Sequence, residues 1–382
     1  MISRGIFILL QFCVLGNVVA QNSKLDTFVS YPMVQSGSIF WENEYTRVKH
    51  GRDFNLYCVN RFKNGQLNYT LLNIDLRNLN LEQLDMADSL SGINYELMEK
   101  YHSNVSYIMN GLQGVLVSYG KLHIVKWQDE KLVLLDSMNI GRNSGEEMVF
   151  FTDDSKAIVV DKVQTKLNSD GGIRLSVYDL GKMKLVKQKF IGSLGAMLYY
   201  FNKNYSYVTV SSDCIYIYNP VKGSLMKYNH KLKLQGEYPL HLTNDFFEVD
   251  PDLSSLKKYL GTTKLLDTIG VISSNMNRVI NMTLKGENDI FFIVQLVDSS
   301  DSGVRLEARV LKKDGVTEVL DFNQGELAVL SQGRVSIVKD KVYCLTAFGN
   351  INLFKEGLSE KEIFKSLYSE KPNLGLYVFN LN

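Results

Sequence analysis

The sequence predicts an all-β chain folded as a β-propeller, on two observations. First, residues 151–228 carry one strand–turn–strand pattern written twice. Each copy opens on an aromatic residue (Phe151, Phe201) and runs into a β-branched strand (Ala157–Val160, Tyr207–Val210). Each then crosses a Ser/Asp/Gly turn and ends a further strand on Tyr178-Asp179 or Tyr218-Asn219. Tandem β-meanders of this length mark propellers and solenoids. Second, Val159-Val160, Ile215–Tyr218 and Phe291–Val297 are near-continuous apolar runs, as expected of strands covered on both faces.

Taken in order, Met1–Ala20 has the make-up of a secretion signal. Arg4 supplies the positive end, Ile6–Gly16 the apolar centre, and Val18-Val19-Ala20 the small-residue cleavage site before Gln21. The apolar run is shorter than the roughly 20 residues that span a bilayer. Leu10-Gln11-Phe12 lacks the small residue expected before a lipid-modified Cys13. Phe291–Val297 is also far too short to cross. The expected product is residues 21–382, exported and free of a transmembrane segment: secreted, or periplasmic or on the cell surface in a bacterium.

Without Arg4 the remaining chain carries 41 basic and 41 acidic residues. Such balance gives no long-range attraction toward nucleic acid. No Pro/Gly/Ser-rich linker divides the chain, so a single domain is expected over 21–382. Cys58, Cys214 and Cys344 sit in alternating apolar segments and read as buried thiols. A Cys58–Cys344 disulfide is the one pairing that would tie the first unit to the last in an oxidising compartment. Asn68, Asn104, Asn204 and Asn281 head Asn-x-Ser/Thr triplets and are the candidate glycan acceptors.

Similar strand–turn–strand cores occur at Gln66–Leu84, Gly120–Met138, Gly303–Phe322 and Gly349–Leu367. A double-length gap before Gly303 leaves room for one degenerate unit at His241–Gly261. Seven four-stranded blades is the favoured count and six the alternative. Short helical insertions are expected where Asp250, Pro251 and Gly261 bracket Leu253, Leu256 and Leu260. Asn94–Tyr101 and the segment after Ser359, with Glu362 at capping-box spacing, are two more. A lone meander has two apolar faces; stacking meanders around an axis buries both and protects the edges. Leu374–Leu381 is strand-like and is expected to close the ring against Asp53–Asn60.

The residues of the two founding units resemble repeats of the YVTN/WD40-like β-propeller superfamily. The resemblance lies in Asp153-Asp154-Ser155-Lys156 before Ala157–Val160, then Ile173–Asp179, and in Tyr207–Val210 before Asp213–Asn219. It covers about 80 residues, 149–229, and departs in unit length and in having Ser155 and Tyr205 where a glycine is usual. It implies a propeller, and fold alone selects no activity.

Catalytic and metal signatures do not stand out. His50, His102, His123, His230 and His241 have no ligand spacing, and the sequence lacks His-Glu-x-x-His, Cys-x-x-Cys, Gly-x-Ser-x-Gly and phosphate-binding glycine loops. No cofactor is expected. The candidate ligand-binding residues are therefore rim-loop carboxylates: Asp170, Asp213, Asp298 and Asp301. Read functionally, they line one polar or cation-binding face; read structurally, they make turns. Trp127, Tyr178 and Tyr218 recur at one repeat position and are expected in the core rather than on a platform. The favoured function is a secreted scaffold that binds a protein, peptide or glycan. The alternative is an extracytoplasmic hydrolase or lyase with carboxylates at the axis.

Overall fold

A computed structural model describes residues 24–31, 44–47, 55–63, 67–86, 105–110, 113–118, 120–128, 131–140, 147–153, 156–163, 172–194, 207–211, 213–240, 277–297, 304–346 and 374–381. Among these residues the chain forms 24 strands and one helix. β1 (Leu25–Tyr31) comes first. Five antiparallel meanders follow: β2 (Glu44–Arg47), β3 (Asn55–Lys63), β4 (Leu67–Asp75) and β5 (Asn80–Met86) make the first. β6 (Val105–Asn110), β7 (Gln113–Ser118), β8 (Lys121–Gln128) and β9 (Lys131–Asn139) make the second. The third is β10 (Glu147–Asp153), β11 (Lys156–Val163), β12 (Gly172–Asp179) and β13 (Lys184–Ile191). The fourth is β14 (Val208–Val210), β15 (Cys214–Asn219), β16 (Ser224–Asn229) and β17 (Leu234–Pro239). The fifth is β18 (Arg278–Lys285), β19 (Asp289–Val297), β20 (Val304–Leu311) and β21 (Thr317–Leu320). Helix α1 (Gln324–Gln332) then leads into β22 (Arg334–Val338), β23 (Lys341–Thr346) and β24 (Leu374–Asn380).

The protein is an all-β propeller. Neighbouring meanders meet through their first strands: β2 beside β6, β6 beside β10, β10 beside β14, β14 beside β18, and β18 beside β22. These strands therefore form the inner layer. The described residues make five sheets rather than the seven blades expected. The first two meanders merge into one eight-stranded sheet, because β5 and β9 pair in parallel, Asp85 opposite Lys131 and Met86 opposite Leu132.

Closure differs from the expected pairing too. Leu374–Asn380 pairs with Leu25–Tyr31, not with Asp53–Asn60. The chain ends share one sheet, ordered β1-β24-β23-β22. Glu326 lies at the third position of α1 and does two things at once. Its Oε2 accepts the Asn323 backbone N–H while Asn323 Oδ1 accepts the Glu326 N–H, a reciprocal cap. Its Oε1 accepts the backbone N–H groups of Lys24 (2.6 Å) and Leu25 (3.2 Å). The three helical insertions expected at 94–101, 250–261 and after 359 lie outside the described residues.

The core follows from the apolar runs. β15 is buried at every position, and Ile215, Ile217 and Tyr218 pack with residues of the third and fifth meanders. Phe291 and Phe292 on β19 face opposite ways into two clusters, one shared with β15 and one with α1 and the closing sheet. Truncating either to alanine would cost about 3–5 kcal/mol. Tyr178 and Tyr218 are core residues as expected, although they stand on the third strand of one meander and the second of the next. Hairpin turns are fixed by Asx side chains. Asp179 Oδ1 accepts the Lys182 N–H, and Asn219 Oδ1 accepts those of Val221 and Lys222. Gly223 then takes the left-handed conformation, φ 58°, that returns the chain.

Candidate functional site

The candidate site is a row of three side chains across the third meander. Strand register sets Asp161 on β11 opposite Arg174 on β12, and Arg174 opposite Phe190 on β13. Directly opposed residues share a sheet face, so acid, base and aromatic lie side by side. Arg174 donates Nε to Asp161 Oδ2 at 2.8 Å, and its Nη2 is 2.8 Å from the same oxygen. The Asp161 side chain is 5% exposed and that of Arg174 28%. Phe190 is 55% exposed.

Each member has a local cause. Asp161 follows the buried Ile158–Val160 within β11, where a lone carboxylate would be costly and the guanidinium offsets it. Its other oxygen, Oδ1, is buried without a hydrogen-bond partner among the described residues. Phe190 is seated by Gly172: a Cβ there would come within 2.5 Å of the Phe190 ring and 2.6 Å of the Ile191 carbonyl oxygen. Beside the row, Gln188 donates to Ser176 Oγ at 3.0 Å. The result is a fixed, charge-balanced polar pair next to an open aromatic face. That arrangement suits non-covalent recognition, since the ring supplies apolar contact and the guanidinium directional donors.

Of the residues expected at the site, Asp213 alone is described. It is exposed, its N–H donates to Ser211 Oγ, and Ser211 Oγ also accepts the Cys214 N–H. It forms the turn between the first and second strands of its meander. Asp170, Asp298 and Asp301 fall in connections between second and third strands and lie outside the described residues. Among the described residues no three Asp, Glu, His or Cys side chains gather as a metal site.

Two further expectations are corrected. Cys344 is a buried free thiol on β23, its Sγ donating to the Val329 carbonyl, while Cys58 is on β3 of another sheet. The ring closes by strand pairing rather than by a disulfide. Asn281 is buried, and its Nδ2 donates to the carbonyls of Leu330 (3.2 Å) and Gly333 (2.8 Å). It holds α1 against β18 and has no room for a glycan. Asn104 and Asn204 lie outside the described residues; Asn68 is on β4, its side chain among those not described. Burial pushes the thiols of Cys214 and Cys344 up, and the Tyr218 phenol up to about 12, so none is an activated nucleophile.

No protein-family model matches the chain, and no curated protein sequence matches it. Solved structures do resemble it. A member of the DUF4221 family from Bacteroides vulgatus aligns over 93% of this chain and 98% of its own, at 10% identity and a TM-score of 0.52. A candidate exported protein from Bacteroides fragilis aligns over 93% and 95%, at 10% identity and a TM-score of 0.47. At such identity the first likeness shows the fold alone.

Proposed function

We propose that this chain is an extracytoplasmic binding scaffold that holds a protein, peptide or glycan ligand and performs no chemistry of its own. Residues 1–20 act as the export signal in this proposal and residues 21–382 as the working part. The observation that carries it is the Asp161–Arg174–Phe190 row. Arg174 is held in place by a buried carboxylate, and Phe190 leaves more than half of its surface to solvent. An aromatic and a preorganised guanidinium are the side chains that most often anchor binding surfaces.

The test is capture on peptide and glycan arrays by the purified exported chain and its Phe190→Ser variant. Loss of a saturable wild-type signal in the variant, with an unchanged melting temperature, is the expected result. Equal capture by both proteins would remove the row from the binding surface. Mass spectrometry of the exported product tests the signal: a mature amino terminus at Gln21 is expected.

A further inference from the structure

The outer strands of the sheets differ in how their free edges are protected. β5 and β9 meet at one end of each, where Asp85 and Met86 pair in parallel with Lys131 and Leu132. β17 contains Gly236 and ends in Pro239, and its Glu237 is bridged to Lys222. β21 has only four residues, and its Glu318 is bridged to Lys312. β1 carries Asp26, bridged to Lys341. Short strands, proline and paired charges are the usual protections of a sheet edge.

β13 has neither proline nor shortness. It is the outermost strand of its sheet, eight residues long, and no described strand pairs with its outer side. It carries Lys184, Lys187 and Lys189 and no acidic residue. Lysines alone would read as guards against self-pairing. They do not account for Leu185, Val186 and Phe190, which are 45%, 52% and 55% exposed on the same strand. Val186 is an extra, bulged residue; beyond it Lys187–Ile191 keep regular register with β12, with Lys187 and Phe190 exposed and Lys189 turned to the Leu232 carbonyl and the Tyr228 ring.

Resting on the binding proposal above, we infer that the ligand is an acidic, extended polypeptide segment that adds to β13 as a fifth strand. Backbone hydrogen bonds would supply the ladder, as in other strand-addition complexes. Acidic side chains would meet Lys184 and Lys187, and apolar ones Val186 and Phe190. The molecule contains a short precedent: the last two residues of β5 pair with the first two of β9, with Asp85 opposite Lys131. A second copy of this chain is the poorer occupant, because β13 against β13 brings together two strands that carry lysines and no acidic residue.

The probe is a fluorescein-labelled octapeptide of alternating glutamate and valine, titrated into the full chain and followed by fluorescence anisotropy. Three controls accompany it: the same peptide N-methylated at alternate residues, a lysine/valine peptide, and the Lys184→Glu/Lys187→Glu variant. Saturable binding that weakens at least tenfold on N-methylation and on charge reversal is expected. The variant should in turn prefer the lysine/valine peptide. Absence of saturation, or binding indifferent to N-methylation or to charge reversal, overturns the inference. So does a concentration-dependent dimer in sedimentation that the peptide dissolves, which would make a second copy the occupant. If the octapeptide fails while Phe190→Ser still abolishes array capture, the strand-addition inference falls and the binding proposal stands.

Discussion

Glu326 Oε1 accepts the backbone N–H of Lys24 at 2.6 Å, joining residues 302 apart in sequence. The same carboxylate caps α1, so helix and amino-terminal strand depend on one buried side chain. Lys24 Nζ also reaches the Leu381 carbonyl and lies 5.3 Å above the Phe322 ring. Glu326→Ala removes hydrogen bonds to the part-buried backbone N–H groups of Lys24, Leu25 and Asn323, each worth about 1 kcal/mol. The variant should melt well below the parent, and Glu326→Gln, which keeps an acceptor oxygen, should fall between them. Thermal denaturation of the three proteins checks the order.

Asn281→Val removes two hydrogen bonds that hold the end of α1 to β18 and leaves the carbonyls of Leu330 and Gly333 without that donor. A loss of about 2–3 kcal/mol in urea unfolding is expected at the usual worth of buried hydrogen bonds. Expression in a glycosylating host should return Asn281 unmodified in the folded product, by peptide mapping.

Cys344 should resist thiol reagents in the native state and react once the chain unfolds, because burial holds its thiol protonated. Non-reducing peptide maps should contain no Cys58–Cys344 link. Gly333→Ala should destabilise the same region, since a Cβ at Gly333 would collide with the Cys344 sulfur.

Ser224 donates to Glu237 Oε1 at 2.5 Å and Lys222 lies 3.2 Å from Oε2, and the two hold the carboxyl below its ordinary value of 4.5. A group with a lowered folded pKa stabilises the fold above its unfolded value and loses that contribution as pH falls through the folded one. The melting temperatures of the parent and Glu237→Gln should therefore differ at pH 7 and converge as pH drops below 4.5.

The propeller was legible in the sequence because strand alternation and Asx turns are local signals. The blade count was not, and Tyr178 and Tyr218 show why. Tyr178 ends the third strand of its meander, whereas Tyr218 ends the second of the next. A Tyr-Asx hairpin looks the same at either place, so aligning the two copies shifts one sheet by a strand. The helix α1 had a signal, Asn323 three residues before Glu326, that the repeat pattern at Gly303–Phe322 obscured. The site had almost none. Asp161, Arg174 and Phe190 are scattered in sequence and meet only through register across three strands. The rim aspartates rest on loop topology, and Asp213 lies in a turn held by the Ser211 hydroxyl, which accepts the N–H groups of Asp213 and Cys214. Leu374–Leu381 is legible as the closing strand, but its partner is Leu25–Tyr31 rather than Asp53–Asn60, because pairing across the whole length of the chain leaves no local signal.

Ring closure by the two chain ends underlies both the scaffold and its free edges, and hydrogen exchange read by mass spectrometry tests it most directly. In the full chain, alternate amides of Leu25–Tyr31 should be protected as long as those of Leu374–Asn380, and Glu326→Ala should release the first set before the second. Exchange of Leu25–Tyr31 within seconds, beside lasting protection of Leu374–Asn380, would contradict closure through β1.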